Sequence, residues 1–258
     1  MKDPDLMDRV RSWAPDMFLV AGWYHMVPRP WREMAPAYGL HSSLLPDYSG
    51  GAPLVWAMIN GETKTGITLF QLADGVDSGP VVGQLAADIL PEDTIATLYQ
   101  RIESLGIELL VKQLPRLANG SAQLTPQDES RRRLFPQRGP EDGIIDWSRP
   151  ACQIYNFIRA QTKPYPGAFT FHQADKVTIW SSQLVPHKHF PFPPCGQIKT
   201  MDGQIFVGCG NESVLEITHI GMNGIDMPAS IWWRERNKPG NNNAFSASLG
   251  KKEDAARP

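Results

Sequence analysis

The residues best suited to chemistry in this sequence are a histidine and an aspartate on two separate turn-rich stretches. His41 opens the run His41-Ser42-Ser43-Leu44-Leu45-Pro46, and the acidic turn Asp74-Gly75-Val76-Asp77-Ser78-Gly79 places Asp77 36 positions further on. A carboxylate beside an imidazole orients the ring and stabilises its protonated form, so the two can form a proton-handling pair. Other stretches offer less. Gly50-Gly51 lacks the pattern of a phosphate-binding loop and reads as a turn. His187-Lys188-His189 lies among prolines without further ligand residues and reads as a solvated loop. Arg131-Arg132-Arg133 reads as a solvated charge run in a linker.

Composition sets the frame for that pair. The chain has 258 residues, 25 basic against 27 acidic side chains, 41% hydrophobic residues and three cysteines. This suits one or two globular domains with a sizeable core. Cys152, Cys195 and Cys209 form no CxxC pair and are odd in number, which argues against a disulfide framework or a structural zinc site. The cysteine usage fits a reducing cytoplasm. No apolar run is long enough to span a bilayer, and Met1-Lys2-Asp3-Pro4-Asp5 lacks the apolar core of a signal peptide, so neither membrane insertion nor export is expected.

Apolar and turn signals alternate along the first 118 residues as in an α/β sheet. Leu6, Met7, Val10 and Trp13 share one face of a short helix, and Met17 to Ala21 reads as a fully buried parallel strand. Gly39-Leu40-His41 reads as a strand that delivers His41 to its carboxyl end, where open α/β sheets place their ligands. Pro53 starts a helix that Asn60-Gly61 stops. Strands are expected from Gly66 to Leu72 and from Val81 to Leu85, with the Asp77 turn between them. A long helix follows Asp93, with Ile95, Leu98, Ile102, Leu105 and Leu109 on its buried face.

Residues 119–143 read as a polar linker, and a second unit is expected over 144–235. Its signals are a helix from Pro150 to about Gln161, a turn at Pro164-Tyr165-Pro166-Gly167, and strands Ala168 to Phe171, Val177 to Trp180, Gln204 to Gly208 and Val214 to Ile220. That spacing suits a small β-barrel or sandwich. Residues 236–258 read as a disordered tail.

Several motifs together carry a resemblance. His41-Ser42-Ser43-Leu44-Leu45-Pro46, Gly51-Ala52-Pro53-Leu54, Asn60-Gly61, Thr65-Gly66-Ile67-Thr68-Leu69 and Asp74-Gly75-Val76-Asp77-Ser78-Gly79 resemble the core of folate-dependent formyltransferases. Pro140-Glu141-Asp142-Gly143-Ile144-Ile145-Asp146-Trp147, Ile158-Arg159-Ala160 and Pro164-Tyr165-Pro166-Gly167-Ala168-Phe169 are similar to the carboxyl-terminal domain shared by methionyl-tRNA and nucleotide-amino-sugar formyltransferases. The resemblance implies a Rossmann-like, parallel-rich catalytic domain followed by a small OB-like β-barrel. It implies transfer of a formyl group from 10-formyltetrahydrofolate to a primary amine, without a metal. A neutral amine must attack the formyl carbon and an oxyanion must be stabilised, which His41 and Asp77 can serve as catalytic residues. The resemblance further places Met26, Val27, Leu72, Asp74, Gly75 and Val76 at the folate, and Ser42, Ser43 and Pro46 beside the acceptor.

Two departures from the family pattern bear on activity. Family members usually carry asparagine two residues before the histidine, where its amide helps bind the formyl oxygen; here that residue is Gly39. A full catalytic domain also begins with three strand-and-helix units before the strand at Met17 to Ala21, so about 90 residues are expected to be absent at about 30 per unit. A truncated reading frame is the preferred explanation, a fragment or a separate partner being the others. An inactive folate-binding or assembly module is therefore the alternative from another class.

For the acceptor, Arg138 to Glu235 holds eight basic and nine acidic side chains. A tRNA enzyme should present a basic surface. Arg138-Gly139-Pro140-Glu141-Asp142-Gly143 and Thr178-Ile179-Trp180-Ser181-Ser182 also look closer to the domain that formylates UDP-4-amino-4-deoxy-arabinose. A nucleotide-linked amino sugar is the first expectation and methionyl-tRNA the second. The oligomeric state, homo-oligomer included, is left open by the sequence.

Overall fold

The chain divides into two compact units, each built around one main sheet. In the computed structural model, residues 4–186, 192–236 and 243–247 are described. The first unit comprises the chain up to Ala57, Glu62–Asp93 and Thr97–Arg138; the second comprises the chain from Gly139 onward with Met58–Gly61 and Thr94–Ala96. Among the described residues no helix is long and apolar enough to cross a membrane.

The first unit begins with α1 (Pro4–Ser12) and β1 (Phe18–Val20), followed by α2 (Arg29–Met34) and β2 (Ala37–His41). A short strand β3 (Ser49–Gly50) and helix α3 (Pro53–Ile59) lead to β4 (Lys64–Gln71) and β5 (Val81–Asp88). Helix α4 (Ile95–Ala118) and strand β6 (Leu134–Phe135) complete it. The main sheet has the order β1-β2-β4-β5, with β1 and β2 parallel and the other pairs antiparallel. The expected strands, the Pro53 helix and the long helix are present with small differences at their ends.

The reading of Met17 to Ala21 as a fully buried strand is corrected. β1 forms the edge of the sheet and Leu19 is exposed. An unbroken apolar run signals a strand but does not report how many of its faces are covered. Its other face packs Phe18 and Val20 against the cluster of Val10, Val27 and Trp31. On α4, Ile95, Leu98, Ile102 and Leu109 are fully buried at helical spacing, whereas Ile107 and Val111 face outward.

The amino end of α4 is tied down by a buried carboxylate. Asp93 accepts from the Leu90 amide at 2.8 Å, from Thr97 Oγ1 at 2.8 Å and from both terminal nitrogens of Arg101 at 2.6 and 2.9 Å. Burial would raise its pKa, but the Arg101, Leu90 and Thr97 hydrogen bonds outweigh that and hold it at about 2, below the ordinary 3.8. A carboxylate depressed in the folded state stabilises it above the ordinary value, and the contribution disappears as pH falls through the folded one. Asp93→Asn is therefore expected to cost about 2 kcal/mol near neutral pH, with the difference from the parent chain closing between about pH 4 and pH 2. Urea denaturation across that range checks it, and a pH-independent difference would refute the assignment.

The stretch read as a linker is structured. Residues up to Arg138 belong to the first unit, and β6 pairs in parallel with β3, Ser49 opposite Leu134 and Gly50 opposite Phe135. Loop-like composition concealed this because the contacts reach back more than eighty positions in sequence.

The second unit contains α5 (Ala151–Arg159), β7 (Ala168–His172), β8 (Asp175–Leu184) and β9 (Ile198–Met201). It continues with β10 (Gln204–Cys209), β11 (Ser213–Met222), β12 (Ile225–Pro228), α6 (Ala229–Arg236) and β13 (Phe245–Ser246). The strands form a curled antiparallel sheet in the order β13-β7-β8-β11-β10-β9, with β12 added alongside β11. Alternating residues such as Val177, Ile179, Val207, Leu215 and Ile217 meet Ile154 and Ile158 of α5 in one core. Within the expected tail, Phe245 is buried in that core, stacked on Trp147 with ring centroids 5.5 Å apart. The remainder of that stretch, apart from residues 236, 243, 244, 246 and 247, and the histidines of His187-Lys188-His189, lie outside the described residues.

Candidate functional site

β2 delivers His41 at its carboxyl end, and β4 fixes the turn that follows. His41 lies opposite Thr68 and Gly39 opposite Phe70. The Thr68 hydroxyl donates to the Ser43 carbonyl at 2.6 Å and accepts from the Leu45 amide at 3.1 Å, while Gln84 Nε2 donates to the Leu45 carbonyl at 2.8 Å. The Leu45–Pro46 bond is cis. Side chains of the β4–β5 hairpin thus fill the hydrogen-bonding needs of a loop that has no ladder of its own.

The imidazole of His41 has an oxygen near each ring nitrogen. Nε2 lies 2.8 Å from the Tyr48 carbonyl, which can only accept, so Nε2 carries a proton. Nδ1 lies 3.6 Å from Asp77 Oδ2, within ion-pair range. Asp77 Oδ2 also accepts from the Gly50 amide at 2.8 Å. The neutral ring therefore presents its Nδ1 lone pair toward the Asp77 side, and a proton arriving there is met by the carboxylate. Both side chains are mostly buried, at 11% and 21% exposure, which limits screening of their interaction by water.

Of the residues expected at the acceptor, Ser42 and Pro46 are half-buried on the loop that follows His41. Ser43 is different: its side chain is buried and its hydroxyl donates to the Asp47 carbonyl at 2.6 Å, so it shapes the loop rather than meeting a ligand. At the expected folate contacts, Met26 and Val76 are exposed apolar side chains, and Leu72 is half-buried. Val27 is a core residue packed with Val10 and Trp31, so its side chain does not offer a ligand surface. Asp74 and Gly75 are exposed, and Asp74 is ion-paired with Arg32. The Arg32 hydrogen bond, with the Arg32 charge, holds the Asp74 carboxyl below the usual range.

Arg32 and Gln127 carry no signal of their own in the sequence, whereas the reading of Arg132 as part of a solvated charge run is corrected, its side chain being only 17% exposed. Arg32 Nε donates to the Val27 carbonyl at 3.1 Å while its guanidinium meets Asp74, tying the Met26–Val27 loop to the loop that carries Asp77. Gln127 Nε2 donates to the carbonyls of Asp77 and Gly79 at 2.7 and 2.6 Å. Arg132 donates to the Val76 carbonyl at 3.1 Å and to Ser49 Oγ at 2.6 Å. The Arg32–Asp74 pair had a faint signal in its opposite charges; Gln127 had none. Among the described residues no cluster of three His, Cys, Asp or Glu side chains could hold a metal ion.

The formyl transferase family profile matches residues 1–114, and the profile of the formyl transferase C-terminal domain matches residues 138–237. The chain belongs to the formyltransferase family. Among solved structures it is similar to HypX from Aquifex aeolicus in complex with tetrahydrofolic acid, at 20% identity and a TM-score of 0.69, over 90% of this chain and 41% of that one. It thus spans about two fifths of that relative. It is also similar to an N-formyltransferase from Helicobacter canadensis in complex with folinic acid and dTDP-3-aminofucose, at 19% identity and a TM-score of 0.60, over 78% and 72% of the two chains. A methionyl-tRNA formyltransferase from Clostridium thermocellum matches at 19% identity and a TM-score of 0.59, over 87% and 86%. At these identities the structural likeness establishes the fold.

Proposed function

We propose that this chain transfers the formyl group of 10-formyltetrahydrofolate to the primary amine of a nucleotide-linked amino sugar. The observation that carries the reading is the imidazole of His41 held between the Tyr48 carbonyl and the Asp77 carboxylate. The amine nitrogen attacks the formyl carbon, a new C–N bond forms, and the carbonyl electrons move onto oxygen. The amine proton passes to Nδ1 of His41, where Asp77 stabilises the imidazolium. Collapse of the intermediate breaks the bond to N10 of the folate, and that nitrogen takes up the proton held on His41, which returns the imidazole to its neutral form.

The residues present fit a folate donor. Met26 and Val76 offer apolar surface on two loops that Arg32 and Asp74 join, and Leu72, Asp74 and Gly75 lie on the loop that carries Val76. Ser42 and Pro46, on the loop that follows His41, are the residues assigned to the acceptor amine. The tetrahydrofolic acid, folinic acid and dTDP-3-aminofucose in the complexes named above support this assignment of donor and acceptor class. The balanced charge of Arg138 to Glu235 favours a small acceptor over methionyl-tRNA.

The test is to incubate the purified chain with 10-formyltetrahydrofolate and a panel of UDP- and dTDP-linked amino sugars, with methionyl-tRNA in parallel. Loss of the donor and formylation of a sugar amine are expected. Formylation of methionyl-tRNA alone would transfer the assignment to that acceptor, and folate binding without turnover on any amine would make the chain a binding module.

A further inference from the structure

Two residues that touch His41 and Asp77, or are one of them, adopt a backbone conformation that side-chain-bearing residues rarely take. Tyr48 has φ +53° and Asp77 has φ +49°. The Tyr48 carbonyl is aimed at Nε2 of His41, and the Asp77 carboxylate at Nδ1. Such conformations persist only where the surroundings hold them. Here the same segment, Gln127 to Phe135, holds both.

At Tyr48, the ring stacks on Phe135 with centroids 4.6 Å apart, and the Arg133 guanidinium lies 4.6 Å from its centre. The Ser49 amide donates to the Arg133 carbonyl and the Gly51 amide to the Phe135 carbonyl, each at 2.9 Å. Gly50 between them has φ +93°, and a Cβ there would lie 2.3 Å from the Phe135 carbonyl oxygen, so only glycine permits this approach. At Asp77, Gln127 takes the carbonyls of residues 77 and 79, and Arg132 takes that of Val76. Arg132 Nη2 donates to Gln127 Oε1 at 3.2 Å and to Glu129 Oε1 at 2.7 Å, which locks the two clamps together. The Glu129 hydrogen bonds, against some burial, keep Arg132 firmly protonated, and Asp77 adds to this.

We propose that Gln127 and Arg132 are positioning residues for the reaction: they set the reach of Asp77 to His41 and so the stability of the imidazolium during transfer. This rests on the formyl-transfer reading above. Gln127→Glu keeps the shape of the side chain and its place against Arg132 but removes the amide that donates to the Asp77 and Gly79 carbonyls. Its kcat is expected to fall at least about tenfold, with KM for donor and acceptor nearly unchanged, as a misplaced catalytic group predicts. Because Gln127 acts through Asp77, the same substitution in an Asp77→Asn background is expected to leave kcat almost where Asp77→Asn alone puts it.

A second readout is independent of turnover. Nitrogen-15 shifts of the His41 ring, assigned by comparison with His41→Asn, are expected to change in Gln127→Glu and in the uncharged Gln127→Met while the other histidine signals stay in place. A wild-type chain that forms no product on any amine would defeat the functional reading and leave this measurement standing. Unchanged ring shifts in both variants, or equal kcat losses with and without the Asp77 carboxylate, would overturn the positioning role.

Discussion

His41→Gln is expected to lower kcat for formyl transfer by about 10³-fold while leaving folate binding nearly intact, since a positioned proton acceptor contributes about 10²–10⁴-fold. Glutamine can still donate to the Tyr48 carbonyl, because its amide nitrogen reaches the position of Nε2, so the turn between β2 and Tyr48 keeps that hydrogen bond. It cannot accept and hold a proton opposite Asp77. The loss should therefore appear in kcat, and the thermal midpoint should move little. Single-turnover formyl transfer with saturating 10-formyltetrahydrofolate separates the chemical step from donor binding. A variant that retained more than about a tenth of the rate would show that His41 is not the proton acceptor.

The local part of this site was legible in the sequence, and the long-range part was not. His41 and Asp77 stand in compact motifs whose turn residues announce loops, and strand alternation on either side indicated where those loops begin. Ser43 sits in the same motif as Ser42, yet its hydroxyl is used by the Asp47 carbonyl. Composition cannot tell a hydroxyl that faces a ligand from one that closes a turn. Gln127 and Arg132 were hidden for another reason. They act on backbone carbonyls about fifty positions away, and neither a partner nor a spacing pattern betrays a hydrogen bond to a carbonyl.

The same distinction accounts for the elements. α4 and the paired strands β4, β5, β8 and β11 are long enough to show their periodicity. α2 spans six residues, and β9 and β12 four each, with most of the β9 and β12 side chains exposed, so there is little apolar pattern to read. β13 is two residues long within a polar stretch, but Phe245 inserts beside Trp147 and Trp232. One aromatic in a polar stretch is enough to anchor it when the core has a vacancy of matching shape.

Gly39→Asn alone is expected to bring little gain, whereas Gly39→Asn combined with Leu72→Ala is expected to raise kcat by about a hundredfold, the value of one oxyanion donor. Residues 39 and 41 are two apart on β2 and so share a face, which places an asparagine amide on the His41 side of the sheet. The space there is already taken. A Cβ at position 39 would lie 2.8 Å from Leu72 Cδ2 and 3.1 Å from Phe70 Cε1. Phe70 is buried and must yield by a few tenths of an ångström, while Leu72 packs toward the Val10–Val27–Trp31 cluster and must turn out of it. In the single variant the asparagine and Leu72 compete for one volume, and the displaced leucine enters the loop expected to meet the folate. Shortening Leu72 removes the first contact and lets the amide settle, at a cost of about 1–2 kcal/mol in stability for a half-buried leucine. The measurement is kcat in all four members of the cycle, with donor affinity determined for each. A full gain in the single Gly39→Asn variant would show that Leu72 is no obstacle. No gain in a folded, folate-binding double variant would show that this chain stabilises the oxyanion by another donor and that glycine at 39 costs it nothing.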